Sequence, residues 1–406
     1  MDRRVSPFVL AMPLDPPSAI CELRANSAPV SSPENCAKSD ATLTIQLSVH
    51  DAVATLLKEP RFLRLVRAFA RDRTDSILTD TAQSLTEADF QRHLGVQLLA
   101  VLLSRTANGM SVVGLEHLEN MPPCLYISNH RDIVLDSALL NSTLLNHNVP
   151  IPHVIIGDNL LQSTWLQPFF RLCKAVVVQR ALRGKELFEH SLRLSEHVRQ
   201  MIEGGESVWI AQRAGRTKDG LDRTEPALLR MLLLAYERNP PAPEQVLNVT
   251  PIAVSYELEP CDVFKAAASL GTVTKNASLD RARNDAANIL RGLVQPKGRI
   301  QLAIRRPLQL DNSDAKGSNR ADKLAELASR VDREIACGYA IWPTNYAAHD
   351  LLHNASEYAS RYTADEKLSF SQYIDRRTRE IVAPPVEARN ALLSLYARPL
   401  IAQQAL

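Results

Sequence analysis

No run of apolar residues in this 406-residue chain approaches the roughly 18–20 that a membrane-spanning helix needs. The opening stretch, MDRRVSPFVLAMPL, carries two arginines, but prolines interrupt it before the apolar core of a secretion signal develops, so none is expected. The six cysteines, Cys21, Cys36, Cys124, Cys173, Cys261 and Cys337, stand far apart and form no C-x-x-C pair. Metal-ligand spacing is therefore missing and no metal is expected. A disulfide framework does not suit a chain this long, and a reducing, cytoplasmic compartment is the expectation. Glycine is scarce, at 14 residues, while Leu and Ala abound, which favours helix. Neither sign of charge dominates: the net value is +2, so no global field nominates a nucleic-acid partner. What remains is an ordinary globular composition, 45% hydrophobic and 23% charged, long enough for one large domain with appendages or for two domains.

Residues 1–45 are rich in Pro, Ser and Asn without periodicity and read as a disordered leader. From 46 to 108 the pattern is helical: FLRLVRAFA and FQRHLGVQLLAVLLS place apolar residues three and four apart. The middle of the chain changes character. Short β-branched runs appear at 111–113, 124–127, 153–156, 175–178, 207–210, 249–254 and 300–304, with helical stretches such as GKELFEHSLRLSEHVRQMIEG between most of them. That alternation predicts an α/β domain over 109–310, with a mostly parallel central sheet flanked by helices. Residues 311–406 are helical again, through ADKLAELASRVDREI and SFSQYIDRRTREI.

The chemistry collects at predicted strand ends, where loops of open α/β sheets bind ligands. The run CLYI stops at Ser128-Asn129-His130, and Asp132 and Asp136 follow closely. A histidine there is placed as a general base, and a carboxylate a turn or two on can accept its other ring N–H and stabilise the imidazolium. The same residues would equally serve as a helix cap and a surface pair. HRDIVLDS begins like a protein-kinase catalytic loop, but Ser137 stands where the metal-binding asparagine belongs, and no D-F-G or Gly-rich loop accompanies it. The run AVVVQR ends in Arg180, and SVWIA leads into a loop holding Arg213, Gly215, Arg216 and Lys218. Guanidinium forks and exposed backbone N–H groups make such a loop a phosphate site, although interleaved Asp219 and Asp222 also suit a solvated turn. One histidine and several cations point to a hydroxyl deprotonated on a phosphate-bearing substrate. Lys297-Gly298-Arg299, before a strand, reads as a solvated turn.

SNHRDIVLDSALL resembles the first block of the glycerol-3-phosphate and lysophosphatidate acyltransferase family, whose hallmark is Asn-His, four variable residues, then Asp. AVVVQR, ESVWIAQRAGRTKDG and VTPIAVSYE are similar to its second, third and fourth blocks, in order over about 130 residues. The resemblance implies transfer of a fatty acyl group from acyl-CoA or acyl-carrier protein to a glycerolipid-type hydroxyl, with no cofactor besides that co-substrate. His130 would be the general base and Asp136 its partner, with Asp132 as fallback. Asn129, Arg131, Arg180, Arg213, Gly215, Arg216 and Lys218 would serve the substrate. The implied partners are the acyl donor, the glycerolipid acceptor and a membrane surface, which the chain would meet as a cytoplasmic, peripherally associated protein.

Two departures stand out. Five residues separate His130 from Asp136 in place of four, and Ala214 occupies the position where the third block has glutamate. The second raises the alternative of a weakened or silent lipid-binding relative. For the surface contact, STWLQPFFRLC at 163–173 suits an interfacial helix or ordinary core packing.

Overall fold

The computed structural model describes residues 43–161, 163–238, 247–275, 289–310 and 320–406. The leader expected over residues 1–45 thus lies almost wholly outside the described residues.

Helices α1 (Val49–Lys58), α2 (Pro60–Ala70) and α3 (Thr74–Ala82) open the described chain, each start favoured by local chemistry such as the Ser48 hydroxyl on the Asp51 N–H and Pro60 in the first turn of α2. A short helix, Glu87–Phe90, passes through a π-helical turn, Gln91–Val96, into α4 (Gln97–Thr106). Their apolar faces meet in a cluster that includes Leu56, Phe62, Val66, Phe90 and Leu94. The aromatic stretch 163–173 joins the same cluster. Its helix α6 (Gln167–Leu172) places Phe169 edge-on to Phe90 at 6.2 Å, while Arg61 lies over the Trp165 ring. This stretch is core packing.

Between them run β1 (Ala107–Val113), β2 (Leu125–Ser128) and α5 (Leu135–Asn146); beyond α6 come β4 (Ala175–Val178) and α7 (Gly184–Glu203), β3 (His153–Gly157) having preceded it. Then follow β5 (Val208–Ala211), α8 (Pro226–Arg238), β6 (Leu247–Tyr256), α9 (Asp262–Ser269), β7 (Gly298–Ile304) and β8 (Leu308–Leu310). The sheet order is β1-β7-β6-β2-β5-β3-β4, with β8 also on β6. Pairings β1–β7, β2–β5, β2–β6, β3–β4 and β3–β5 are parallel; β6–β7 and β6–β8 are antiparallel. The sheet is mostly parallel, as the alternating pattern predicts. Each predicted strand is present, and β8 is an addition. Pro251 sits inside β6, between residues paired to β8 (through Val249) and residues paired to β7 (from Ile252), a break in the partner where a missing N–H is tolerated.

One sheet face packs on α7, α8 and α10 (Arg320–Cys337) through residues such as Ile127, Ile210, Leu194, Leu232 and Val331. The other packs on α4 and α5 through Tyr126, Trp209, Ile252, Leu139 and Leu144. Helices α11 (Pro343–His353), α12 (Ala364–Thr378) and α13 (Pro385–Gln404) form a further cluster with α9. Its polar centre is Asp262, which is buried against Arg377, Tyr373 and Tyr396. Burial opposes ionisation of Asp262, but Arg377 outweighs it and holds the carboxyl below its ordinary pKa.

Lys297 departs from its expected place in a solvated turn. It is fully buried, because its Nζ donates to Leu293 O at 2.7 Å, Gln295 O at 2.8 Å and Thr106 Oγ1 at 3.2 Å, one acceptor for each ammonium proton. Burial pushes its pKa down to about 8.

Candidate active site

The parallel strands β2 and β5 end side by side, with Ser128 opposite Ala211, and both chains leave the sheet at the same edge. Two backbone bonds carry the pairing on into the loops: Gln212 N–H donates to Ser128 O at 2.8 Å, and Thr217 N–H donates to His130 O at 3.0 Å. The basic loop after β5 is therefore fastened to the histidine itself.

Between His130 and α5 the chain makes a turn organised by Asp132. Its Oδ1 accepts from the N–H groups of Val134 and Leu135, both at 2.9 Å. The turn absorbs the extra residue of the His–Asp spacing and brings Asp136, in the first turn of α5, back beneath the ring. His130 Nδ1 lies 3.1 Å from Asp136 Oδ2, and the same oxygen accepts from the N–H groups of Arg131 at 2.7 Å and Asp132 at 2.9 Å. Asp136 Oδ1 accepts from the Tyr256 hydroxyl at 3.0 Å. Burial and the Asp136 charge hold the Tyr256 pKa well above its ordinary value, so it stays a donor. The aspartate is wholly buried while the His130 side chain keeps 13% of its surface exposed. A carboxylate only accepts, so Nδ1 carries the proton and Nε2 keeps its lone pair. No hydrogen bond joins the Asp132 side chain to His130; its Oδ1 serves the turn, and its Oδ2 is buried without a hydrogen-bond partner.

Asn129 and Arg131, expected at the substrate, are turned inward. Asn129 is buried and clamps β2 to β6, donating to Val254 O at 2.9 Å and accepting from Val254 N–H at 2.8 Å. Arg131 is buried among Asp222 at 2.6 Å, Glu259 at 3.3 Å and Gly220 O at 3.5 Å, and its carbonyl accepts from Lys265 Nζ at 2.5 Å. Burial opposes its charge, but Asp222 and Glu259 prevail and raise its pKa above the ordinary value. Tyr339 completes this group, its hydroxyl donating to Asp222 at 2.6 Å.

Of the remaining cations, Arg180 and Lys218 are exposed and Arg213 and Arg216 are half-buried. Arg216 lies against Cys261, and its Nη1 is buried without a hydrogen-bond partner. Buried partnerless atoms also include Ser128 Oγ, Thr217 Oγ1, Trp209 Nε1 and both amide atoms of Gln212. These atoms gather in the loop after β5 and in the strands beside it, and each can still take a hydrogen bond. Gly215 has φ +78 and open space where a Cβ would stand; Gly220, φ +80, lies so close to α13 that a Cβ would meet Leu395 O at 2.7 Å. A carboxylate also stands near the departing third block: Glu225 Oε2 is 3.4 Å from the Ala214 N–H. Glu206, the other neighbour in sequence, is bound instead to His153 and Lys174 at the opposite end of the strands.

Tyr256, Trp209, Glu259, Lys265 and Tyr339 escape a reading by motif. The only advance signals are Trp209, inside the predicted strand 207–210, and Tyr256, two residues beyond the predicted strand 249–254. The Trp209 ring lies 6.4 Å from the His130 ring, at 76° to it. Among the described residues no group of three or more His, Cys, Asp or Glu side chains is arranged to hold a metal, and no helix is long and apolar enough to cross a membrane.

Residues 109–252, in the middle of the chain, match the family model Acyltransferase. The chain is 30% identical over 164 residues to the glycerol-3-phosphate acyltransferase of Xanthomonas campestris pv. campestris, covering 39% of this chain and 18% of that protein. It is 31% identical over 134 residues to the protein of the same name in Xylella fastidiosa, covering 33% and 15%. A third, from Haemophilus ducreyi, is 25% identical over 194 residues, covering 46% and 23%. The chain thus spans less than a quarter of the length of these curated relatives. Among solved structures, the 1-acyl-sn-glycerophosphate (LPA) acyltransferase of Thermotoga maritima aligns over 68% of this chain and 96% of its own, with a TM-score of 0.38 and 13% identity.

Proposed function

We propose that an acyltransferase-family domain with this site moves a fatty acyl group from an acyl thioester, acyl-CoA or acyl-carrier protein, to a glycerolipid-type hydroxyl of the glycerol-3-phosphate or lysophosphatidate class. The observation that carries the reading is the His130–Asp136 pair at 3.1 Å, with Nε2 left unprotonated. His130 Nε2 takes the hydroxyl proton as the alcohol oxygen attacks the thioester carbonyl. Asp136 holds the imidazolium through Nδ1–H. Collapse of the tetrahedral adduct breaks the C–S bond, and the departing thiolate takes the proton from Nε2, so the enzyme returns to its starting state with no covalent acyl-enzyme. General-base assistance supplies about 10²–10⁴-fold. Positioning by the basic loop supplies more, with Arg180, Arg213, Arg216, Lys218 and the backbone at Gly215 around the acceptor phosphate. Long-chain substrate would be met at a membrane surface, with the chain peripherally bound on the cytoplasmic side.

The test is transfer from radiolabelled acyl-CoA to glycerol-3-phosphate and to lysophosphatidate in liposomes, by the full chain and by His130→Ala. Product that vanishes in a variant of unchanged circular dichroism is the expected result. Equal product from both proteins would remove His130 from the chemistry.

A further inference from the structure

Helix α7 has 20 residues, about 30 Å of helix, yet it follows a four-residue strand and precedes another, each only about 13 Å long. The helix must overhang the sheet, and burial shows at which end. Its buried residues begin at His190 and continue through Ser191, Leu194, Ser195, Val198 and Met201, whereas residues 183–189 are exposed without exception. The start of α7 adjoins the carboxyl end of β4. Strands β4, β3, β5 and β2 are parallel neighbours, so the overhang rises from the same sheet edge as His130 and the basic loop.

The overhang carries two large apolar side chains in succession, Leu187 at 42% exposure and Phe188 at 55%. Around them stand three cations, Arg180, Arg183 and Lys185, and two carboxylates, Glu186 and Glu189, all exposed. Lys185 is shared with Glu189 at 3.6 Å. Among the described residues no carboxylate pairs with Arg180 or Arg183; Arg183 Nη1 donates to the carbonyls of Arg180 and Leu182. A projecting tip with two apolar side chains and a small excess of positive charge, carried by Arg180 and Arg183, matches an anionic bilayer, which offers hydrocarbon beneath a negative headgroup layer.

We infer that residues 180–189, the loop after β4 and the projecting start of α7, form the surface that seats this protein on an anionic lipid bilayer, with Leu187 and Phe188 entering the interface and Arg183 and Lys185 facing the headgroups. The inference extends the reading of the site as an acyltransferase: it turns the His130 edge of the sheet toward the phase that holds long-chain substrate. It relocates the membrane contact from the 163–173 stretch, whose aromatic rings are committed to the N-terminal helices.

The test is flotation of the full-length protein with vesicles of phosphatidylcholine alone and of phosphatidylcholine mixed with phosphatidylglycerol. Wild type should float with the anionic vesicles, less at high salt. Leu187→Gln/Phe188→Gln should lower partitioning about tenfold or more, and Arg183→Gln/Lys185→Gln should remove the preference for anionic vesicles. Transfer of a short acyl chain from CoA to glycerol-3-phosphate in solution should be unchanged in both variants. Flotation of the apolar variant equal to wild type overturns the inference, including when transfer from an acidic carrier protein is what the variant loses. Flotation needs no turnover, so the expected binding pattern in a protein without transferase activity would uphold the surface and refute the catalytic reading instead.

Discussion

Two aspartates follow His130, and the structure gives them separable roles that Asp136→Asn and Asp132→Ala should expose. In Asp136→Asn the amide oxygen can keep the three N–H donors now on Oδ2, from His130, Arg131 and Asp132, while the amide nitrogen faces the Tyr256 hydroxyl, which turns to accept. Geometry survives and charge is lost. Hydrogen bonds to a charged group contribute about 1.5–3 kcal/mol against about 0.5–1.5 for neutral ones, so three weakened bonds amount to about 3 kcal/mol of stability. For catalysis, a unit charge 3.1 Å from the imidazolium is worth at most about 5 kcal/mol at an effective dielectric of about 20. General-base catalysis as a whole spans about 10²–10⁴-fold, so a fall of about 10²–10³-fold in kcat is expected with little change in KM. Asp132→Ala removes the two bonds to the Val134 and Leu135 N–H groups at the entry to α5, the arrangement of a capping aspartate whose loss costs about 0.5–2 kcal/mol, and should leave kcat within about threefold. Initial rates and urea titrations of the two variants decide it. Should Asp136→Asn keep its rate while a folded Asp132→Ala loses about 100-fold, the carboxylate assignment is refuted.

Arg377→Met should cost about 3–5 kcal/mol in a urea titration, because it strands the buried Asp262 carboxylate; Asp262→Leu/Arg377→Met should regain most of that loss. The pair should also shape acid unfolding: with the Asp262 pKa depressed, its contribution is present above the unfolded carboxyl value and disappears as pH falls through the lower folded one. Lys297, lowered to about 8 from 10.5, sheds its proton in the native state before the unfolded state does, so wild-type stability relative to Lys297→Met should rise by about 2 kcal/mol between about pH 7.5 and about pH 10. A flat difference would contradict the buried ammonium. Glu225→Ala should raise the acceptor KM about tenfold, the scale of one charge-assisted hydrogen bond to the loop. Ala214→Glu should restore it in that background and change wild type less than about threefold; no restoration would mean that the Glu225 carboxylate does not stand in for the one absent at 214.

What the sequence discloses follows the range of the signal. Strand positions are legible because β-branched runs bounded by turn residues are local, and the His130–Asp136 pairing is legible because six positions of chain can fold back on themselves. The groups that fix the site's geometry are not, since their partners are remote: Arg131 meets Asp222 across 91 positions and Glu259 across 128, and Tyr256 reaches Asp136 across 120. Residue type misleads in the same places. Lysine and arginine ordinarily signal solvent, and only a complete set of acceptors, such as the three around Lys297 Nζ, makes burial tolerable. Asn129 and Arg131 look like substrate contacts because they flank the histidine, yet the β2 strand end already needs one clamp to β6 and one counter-charge for the loop.

The basic loop owes part of its shape to residues beyond the 109–252 stretch that matches the family model. Asp222 is held by Arg131, by the Tyr339 hydroxyl at 2.6 Å and by Asn129 at 3.3 Å. Thr224 donates to Asp332 through both its N–H and its hydroxyl, Gly220 rests on Leu395 of α13, and Glu259, the second counter-ion of Arg131, donates its N–H to the Tyr396 hydroxyl. Every one of those supports except Arg131, Asn129 and Glu259 comes from the C-terminal segment: Asp332 on α10, Tyr339 in the connection that follows it, and Leu395 and Tyr396 on α13. The histidine and its aspartate lie within that matched stretch, where the proposed proton transfer would demand the same geometry of any acceptor. The loop that would hold an acceptor is shaped in part by residues outside that stretch. A change in the C-terminal packing that leaves His130 and Asp136 untouched should therefore move the cations Arg213, Arg216 and Lys218, so under the proposed function such a change is expected to alter the KM for the acceptor more than kcat.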